Sequence, residues 1–519
     1  MTPVTESVDD LFLRYGGSYR TLVTGAGMTA SFVMVISSTI VNVSIPDVMG
    51  AFGIGQDQAQ LMATAFNVAM VTSQLLNAWV VAVFGQRYGF TGTLLVFTAG
   101  SFIGGFADEY GMIVFGRVLQ GAAAGCIQPL IMVTIFQVFP EDKRGFAMGI
   151  YGMGLTLAVG LGPVLGGVAI ELLDWRYIFL APVPLVFIAL GMGIVFMPSV
   201  RKPDDQVFDW VGYVLINVAL FCCMTALTDG QREGWVSNYT TGYFLIAMVS
   251  GASFVFWQAR DGETLIDVSL FQNRNFALCA VIAFTFGMGN FGTAYAVPVF
   301  GQLVQGQTAL NAGNMMLPAA IVVFLALPFT GRMADAISPR AGIMAGLALF
   351  ALGTLPMASA DANTPYFHLV LFSVIARGGM SFTMPFIMNT ALRTLRPEQL
   401  NAGGGTINFC RQLGGSLGLN AWVVFLEVRT HYHSDILAST QSADNTSSRE
   451  LLTGVGRMLG EAGVPASLHE PGALNYLGQV VHAQANAIGF QDGFLVLAVS
   501  FIFAMIPAWL LGRKRHDVR

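Results

Sequence analysis

Fourteen long apolar stretches run along this chain, and none of its 30 acidic residues lies near the middle of any of them. A span of about 20 apolar residues crosses the hydrocarbon core of a bilayer as a helix. A water-soluble chain of 519 residues would not be 54% hydrophobic and only 11% charged. Because only helices and closed barrels satisfy the backbone in lipid, the pattern predicts an all-α polytopic membrane protein. The predicted spans are 21–45, 59–84, 89–107, 111–138, 145–170, 177–199, 209–228, 240–258, 275–301, 309–331, 341–360, 366–391, 402–426 and 493–512. From Asn275 to Gly331 there is no Asp, Glu, Lys or Arg, over a length sufficient for two crossings. The first apolar run follows a polar leader with Asp9, Asp10, Arg14 and Arg20, has full span length, and is read as a retained signal anchor.

The five cysteines, Cys126, Cys222, Cys223, Cys279 and Cys410, all fall inside predicted spans, which leaves no disulfide framework or zinc spacing in the loops. The position of the bases matters more than the net charge of −5. With both termini cytoplasmic, the cytoplasmic ends and loops collect 17 of the 25 bases, among them Arg87, Lys143, Arg144, Arg332, Arg340, Arg393 and Arg396. Five lie outside and three (Arg117, Arg377 and Arg411) fall within spans. That asymmetry obeys the positive-inside rule, and the inverted topology would break it.

Three local patterns recur at nearly one offset. Ala78 to Ala82 with Gly85-Gln86-Arg87 closes span 2, and Gly331-Arg332-Met333-Ala334-Asp335 with Pro339-Arg340 closes span 10, 253 residues later. Arg117 to Gly121 in span 4 answers Arg377-Gly378-Gly379 in span 12 at an offset of 260, and Pro140-Glu141 answers Pro397-Glu398 at 257. Each jump covers eight helices, which predicts two homologous six-helix halves with spans 7 and 8 inserted between them. The boundaries are 1–200, 201–262 and 263–519, the last including an extracytoplasmic loop at 427–492. Such repeats characterise secondary transporters, in which a site between the halves opens alternately to each side. In the outer loop, Leu474, Leu477, Val481 and Ile488 follow a helical spacing, so that part of it is either an interfacial amphipathic helix or a solvated hairpin packed on the outer face.

Span 5 carries the strongest motif: Gly149, then Gly162-Pro163, then Gly166-Gly167, with Gly154 and Gly160 between. Glycines on one side of a helix admit a close neighbour, and proline frees a carbonyl and permits a bend. Here the chain resembles the major facilitator superfamily, and within it the 14-helix drug:proton antiporters of the EmrB type, in which this pattern is the antiporter motif. The resemblance covers nearly the whole chain. It includes Ser38 to Pro46 in span 1, Arg117-Val118-Leu119-Gln120-Gly121 in span 4, Asp174 to Phe179 before span 6, and Phe208 to Gly212 before span 7. It continues through Leu265 to Asp267 with Asn273-Arg274-Asn275-Phe276, and through Asn408 to Gly418 in span 13. The resemblance implies a multidrug efflux transporter of the cell inner membrane, with the span-4 arginine linked to proton coupling. It also implies small hydrophobic drug-like substrates and protons as partners, with an EmrA-type periplasmic adaptor and an outer-membrane channel beyond. No nucleic acid and no cofactor are expected.

The chain departs from that family at several places. Ser37 stands where the span-1 signature usually carries an aspartate, Ala82 where the loop after span 2 carries an acid, Leu61 replaces a tryptophan, and Pro182 an asparagine. A proton antiporter needs a buried group that titrates between the two sides, commonly a carboxylate. The nearest acids, Glu171, Asp209, Asp229 and Glu427, lie at span ends, and the deep ionisable groups are Arg117, Arg377 and Arg411. Each guanidinium is either a functional group of the transport path or a brace on backbone carbonyls. The cavity is therefore neutral to positive, which suits hydrophobic neutral compounds or weak acids over lipophilic cations.

Candidate cavity groups are Asn42, Asn67, Gln74, Gln128, Asn290, Asn389, Asn408 and Arg411, each alternatively interhelical glue. Gln120 accompanies Arg117 in the coupling set. Arg332, Asp335 and Arg340 are expected to form a charge latch at the cytoplasmic face, as the resembling loop motif implies. A uniporter, an importer or a lipid translocator on the same fold is the alternative, because fold does not fix cargo or direction. A membrane enzyme would need clustered His, Asp or Glu at one face. His368, His431, His433, His469, His482 and His516 are scattered or in the outer loop, and there is no P-loop.

Overall fold

The computed structural model describes residues 6–41, 44–54, 56–199, 208–260, 265–307, 309–441 and 445–512. Among them the regular structure is helical throughout, without a strand. Eleven helices are long and apolar enough to cross a membrane. One, Leu61–Gly105, carries the expected spans 2 and 3 together, because helix Gln56–Gly105 breaks only at Gly85. The φ of 76° there is open to glycine and rarely to other residues, so a single residue turns the chain where a loop was expected. The expected spans 5 and 13 are helices Arg144–Leu172 and Leu400–Ser439, which stand outside those eleven.

Spans are numbered below as in the sequence. Span 1 is Tyr19–Ile40, span 4 Tyr110–Val138, span 9 Arg274–Leu303, span 12 Tyr366–Arg393 and span 14 His469–Leu510. Glycine sets how closely the spans meet. A Cβ on Gly100 of span 3 would lie 2.7 Å from the Gly116 carbonyl of span 4. Its counterpart in the later spans is Gly346 of span 11, where a Cβ would lie 2.7 Å from the Gly379 carbonyl of span 12. Two pairs at matching places in the repeat thus use one device, backbone on backbone.

Two helix pairs bring the early and late spans into close backbone contact. Gly145 and Gly149 of span 5 lie against the backbones of Gly331 and Leu327 of span 10. Gly405 of span 13 lies against span 2, where a Cβ would sit 2.6 Å from the Gln74 carbonyl. Helices Trp210–Glu233 and Asn238–Gln258 form the inserted pair. Asp209 joins them by accepting from Gly212 N, Trp257 Nε1 and Gln258 Nε2 at 2.7, 2.8 and 2.7 Å. This pair covers the outside of the span 2–span 13 contact. Thr72 and Ser73 bond Asn217 and Tyr213 at 2.8 Å each, and Val71 and Leu75 pack with Leu220 and with Phe409 of span 13.

The expected outer loop at 427–492 is mostly helical. Span 13 continues to Ser439, a separate helix covers Thr446–Glu461, and span 14 begins at His469. At a 1.5 Å rise per residue, 40- and 42-residue helices are roughly 60 Å long, twice the ~30 Å hydrocarbon thickness. The alanines at 473, 485 and 487 are buried along this extension, while Leu474 is exposed and Leu477, Val481 and Ile488 are half-buried. Alanine, small and strongly helix-favouring, thus takes the buried positions along this helical extension of span 14. Across it, Asp492 accepts from Arg429 Nε at 2.7 Å and contacts His433 Nε2 at 2.8 Å.

Candidate functional site

The deep arginines fall into two sites within the groups of spans and one between them. Arg117 is fully buried. Its Nη1 donates to the Ser37 carbonyl at 3.1 Å and to Gln120 Oε1 at 2.9 Å, and its Nε to the Met62 carbonyl at 3.4 Å. The guanidinium lies 4.1 Å from the centre of the Phe66 ring, and Gln120 is itself oriented by donating to Ser101 Oγ at 2.9 Å. Carbonyls and an aromatic face replace the counter-charge that a buried cation otherwise requires. Arg377 repeats the scheme 260 residues later: Nη1 donates to Asn290 Oδ1 at 3.2 Å and Nη2 to the Asn290 carbonyl at 3.5 Å. Arg377 of span 12 thus meets Asn290 of span 9, as Arg117 of span 4 meets Ser37 of span 1.

Arg411 of span 13 reaches across to span 4. Its Nη2 donates to Gln128 Oε1 at 3.3 Å and to Asn408 Oδ1 at 3.2 Å. Asn408 in turn donates to the Gly404 carbonyl at 3.1 Å, and Gln412 Nε2 lies 3.6 Å from Met70 Sδ of span 2. On span 5, Tyr151 shares a 2.9 Å hydrogen bond with Ser31 of span 1. Gln74 is wholly buried, and neither of its amide atoms has a partner among the described residues. Among the described residues no carboxylate pairs with any of the three deep arginines.

At the end of the bundle that carries Arg87, Arg144, Arg332 and Arg393, the polar contacts between the groups centre on Asp335. Its carboxylate accepts from the backbone N–H groups of Gly145 and Phe146 at 2.9 and 3.2 Å, at the start of span 5. A negative charge at a helix N-terminus satisfies donors that the helix leaves open. Asp335 also accepts from Arg393 Nη2 at 3.2 Å and from Asn389 Nδ2 at 3.3 Å, while Arg393 bonds the Glu141 carbonyl. Arg332 and Arg340 lie instead over aromatic rings, Phe146 at 4.4 Å and Trp509 at 4.7 Å. Asp335 thus contacts Arg393 and Asn389, whereas Arg332 and Arg340 stack on aromatic rings.

The antiporter-motif positions lie on helix Arg144–Leu172, which runs unbroken through Pro163 and Gly167. Gly149 faces span 10 of the other group, whereas Gly162 and Gly166 face Thr39 and Ile40 of span 1. One motif therefore serves two interfaces. Asn67 is half-buried on span 2, and Asn42 lies outside the described residues. Sequence reasoning passed over Arg393, Gln412 and Tyr151, whose partners are remote in the chain.

The family model of the Major Facilitator Superfamily matches residues 27–419. The chain belongs to that superfamily. Among its relatives, the multidrug export protein EmrB of Haemophilus influenzae is 27% identical over 505 residues, 95% of this chain and 96% of that protein. A multidrug resistance protein B homolog of Mycobacterium tuberculosis is 28% identical over 503 residues, 95% of this chain and 90% of the relative. Solved superfamily structures share the fold. The proton:xylose symporter XylE superimposes with a TM-score of 0.63 at 10% identity, over 96% of this chain and 97% of that one. The human organic anion transporter MFSD10 gives 0.59 at 13% identity, over 93% and 99%. The protein is a multi-pass membrane protein of this transporter superfamily, with drug-exporting relatives along nearly its whole length.

Proposed function

We propose that this protein exports hydrophobic neutral or weakly acidic small molecules by alternating access between two six-helix halves, driven by the proton gradient. The observation that carries the reading is the composition of the seam. Arg411, Gln128, Asn408 and Gln74 line it, and no carboxylate pairs with its guanidinium among the described residues. Such a seam repels a lipophilic cation and accommodates a neutral or anionic cargo. The EmrB relative and the antiporter motif of span 5 support export over uptake.

Asp335, Arg393 and the glycine contacts of spans 5 and 10 would form the gate at the cytoplasmic side, and the switch would break them together. The fourteen crossings and the cytoplasmic termini belong to the same proposal. The helical extension of spans 13 and 14 is where a periplasmic adaptor would dock. A second reading is favoured by Ser37: a backbone carbonyl faces Arg117 where the family usually carries an acid, so the protein would lack its own proton carrier. A weak acid crossing in protonated form would then bring the proton itself, and transport would be uniport-like.

The test is transport in proteoliposomes with an imposed pH gradient. Export of 1-naphthoate accelerated by the gradient supports antiport, and export indifferent to it at matched concentrations of protonated acid supports the second reading. No protein-dependent movement of naphthoate in either condition contradicts both.

A further inference from the structure

Arg411 differs from the other deep arginines in the origin of its acceptors. Arg117 and Arg377 are held by groups of their own half, whereas Arg411 of span 13 is held partly by Gln128 of span 4. Its Nη2 makes two long contacts to neutral amide oxygens, at 3.3 and 3.2 Å, and its Nε has no acceptor among the described residues. Nε and Nη2 form one edge of the guanidinium, the edge that receives a carboxylate side-on through two parallel N–H···O bonds. The amide oxygens satisfy that edge only in part, and a buried cation without a counter-charge is costly. On the same seam, Asn408 lies 2.9 Å from the Met132 thioether, and Gln412, which follows Arg411 in the chain, lies 3.6 Å from that of Met70; both thioethers suit an apolar body of variable shape. Gln412 Oε1 is also buried and has no partner among the described residues, so polar capacity remains on this helix next to Arg411 in sequence.

We propose that the Nε/Nη2 edge of Arg411 is a carboxylate subsite, taking the anionic group of an amphipathic organic acid whose apolar body rests on Met70 and Met132. The subsite deepens the weak-acid reading and rests on it for the class of cargo, although binding needs no transport. A bound carboxylate displaces Gln128 as the acceptor on Nη2. Cargo therefore exchanges a tie between spans 4 and 13 for its own bonds, which couples occupancy of the site to the seam between the halves.

The test is equilibrium binding to the full-length protein in nanodiscs, read by tryptophan quenching, with 1-naphthoate and its uncharged isostere 1-naphthamide. Arg411→Gln removes the charged fork, and Gln128→Glu supplies an internal carboxylate that competes for it. Both variants are expected to weaken naphthoate at least tenfold and to leave naphthamide within twofold. If Arg411→Gln yields no folded protein, the near-isosteric Gln128→Glu decides alone. Unchanged naphthoate affinity overturns the subsite, and so does a parallel loss of naphthamide, which would mark Arg411 as a brace. Arg411-dependent binding without export upholds the subsite and removes the export reading; export with unaltered binding in both variants does the reverse.

Discussion

Arg117 Nη1 donates to the backbone carbonyl of Ser37 at 3.1 Å, so a fully buried guanidinium is held where the resembling antiporters usually offer an aspartate. Aspartate at residue 37 would put a titratable group beside the cation that already grips that backbone. In Ser37→Asp, transport of a fixed cargo is expected to become at least several-fold more dependent on the pH gradient than in the parent. Arg117→Ala leaves the Ser37 and Met62 carbonyls and Gln120 without their donor. It is expected to cost roughly 3 kcal/mol, seen as a lowered thermal unfolding midpoint in detergent. An unfolding midpoint equal to wild type would show that these bonds carry little.

Gly149 and Gly191 make a controlled pair. A Cβ on Gly149 meets the Leu327 backbone, which cannot rotate away, whereas a Cβ on Gly191 meets nothing within 4 Å. Gly149→Ala is expected to separate spans 5 and 10 and to increase labelling of a cysteine placed near Phe146 several-fold. Gly191→Ala should leave labelling unchanged. Equal labelling in both would contradict a tight span 5–span 10 seal.

Asp335 gathers two backbone N–H groups, Arg393 and Asn389 into one contact between the helix groups. Asp335→Asn keeps the size but removes the charge and turns one oxygen into a donor facing donors. A loss of about 1–3 kcal/mol is expected, together with a shift toward the state open at this end. Double electron–electron resonance between labels on the ends of spans 5 and 10 should show the longer distance gaining population. Arg340→Gln, which removes only the stack on Trp509, should not shift it.

Glu6 supplies a pH-dependent term outside the membrane spans. The hydrogen bond from Arg87 at 2.6 Å, aided by the charges of Arg87 and Arg14, outweighs partial burial and holds its carboxyl below the ordinary range. A lowered folded-state pKa means stability that is present above the unfolded value, about 4.3, and lost as pH falls through the folded one. Glu6→Gln should therefore lower the unfolding midpoint at pH 7 by the equivalent of about 1 kcal/mol. The difference from wild type should shrink as pH drops below about 4. A difference that persists unchanged into acid would rule out a charge-based tie.

The helical membrane class was legible in the chain because hydrocarbon length and backbone satisfaction leave few solutions for apolar stretches. What escaped were features set by a single residue or by remote pairing. The Gly85 break joins spans 2 and 3 where a loop was expected, because one glycine at positive φ does the work of several residues. The 427–492 segment left an amphipathic helix or a hairpin open, and the continuation of spans 13 and 14 into it as long helices was not legible from the spacing of four residues. Arg117, Asp335 and Arg411 stood out as charges in or beside apolar surroundings. Their partners did not, since Asp335 meets Gly145 across 190 residues and Arg411 meets Gln128 across 283. The Asn290–Arg377 pair was not legible in the same way: Arg377 follows Arg117 by 260 residues but Asn290 follows Ser37 by 253, so no single offset finds both.

The charge preference of the seam is tested most directly by the ratio of protein-dependent transport of 1-naphthoate to that of ethidium, in one proteoliposome preparation under one pH gradient. A seam of guanidinium and amide groups predicts a ratio well above ten. Efficient ethidium transport with naphthoate left behind would contradict it.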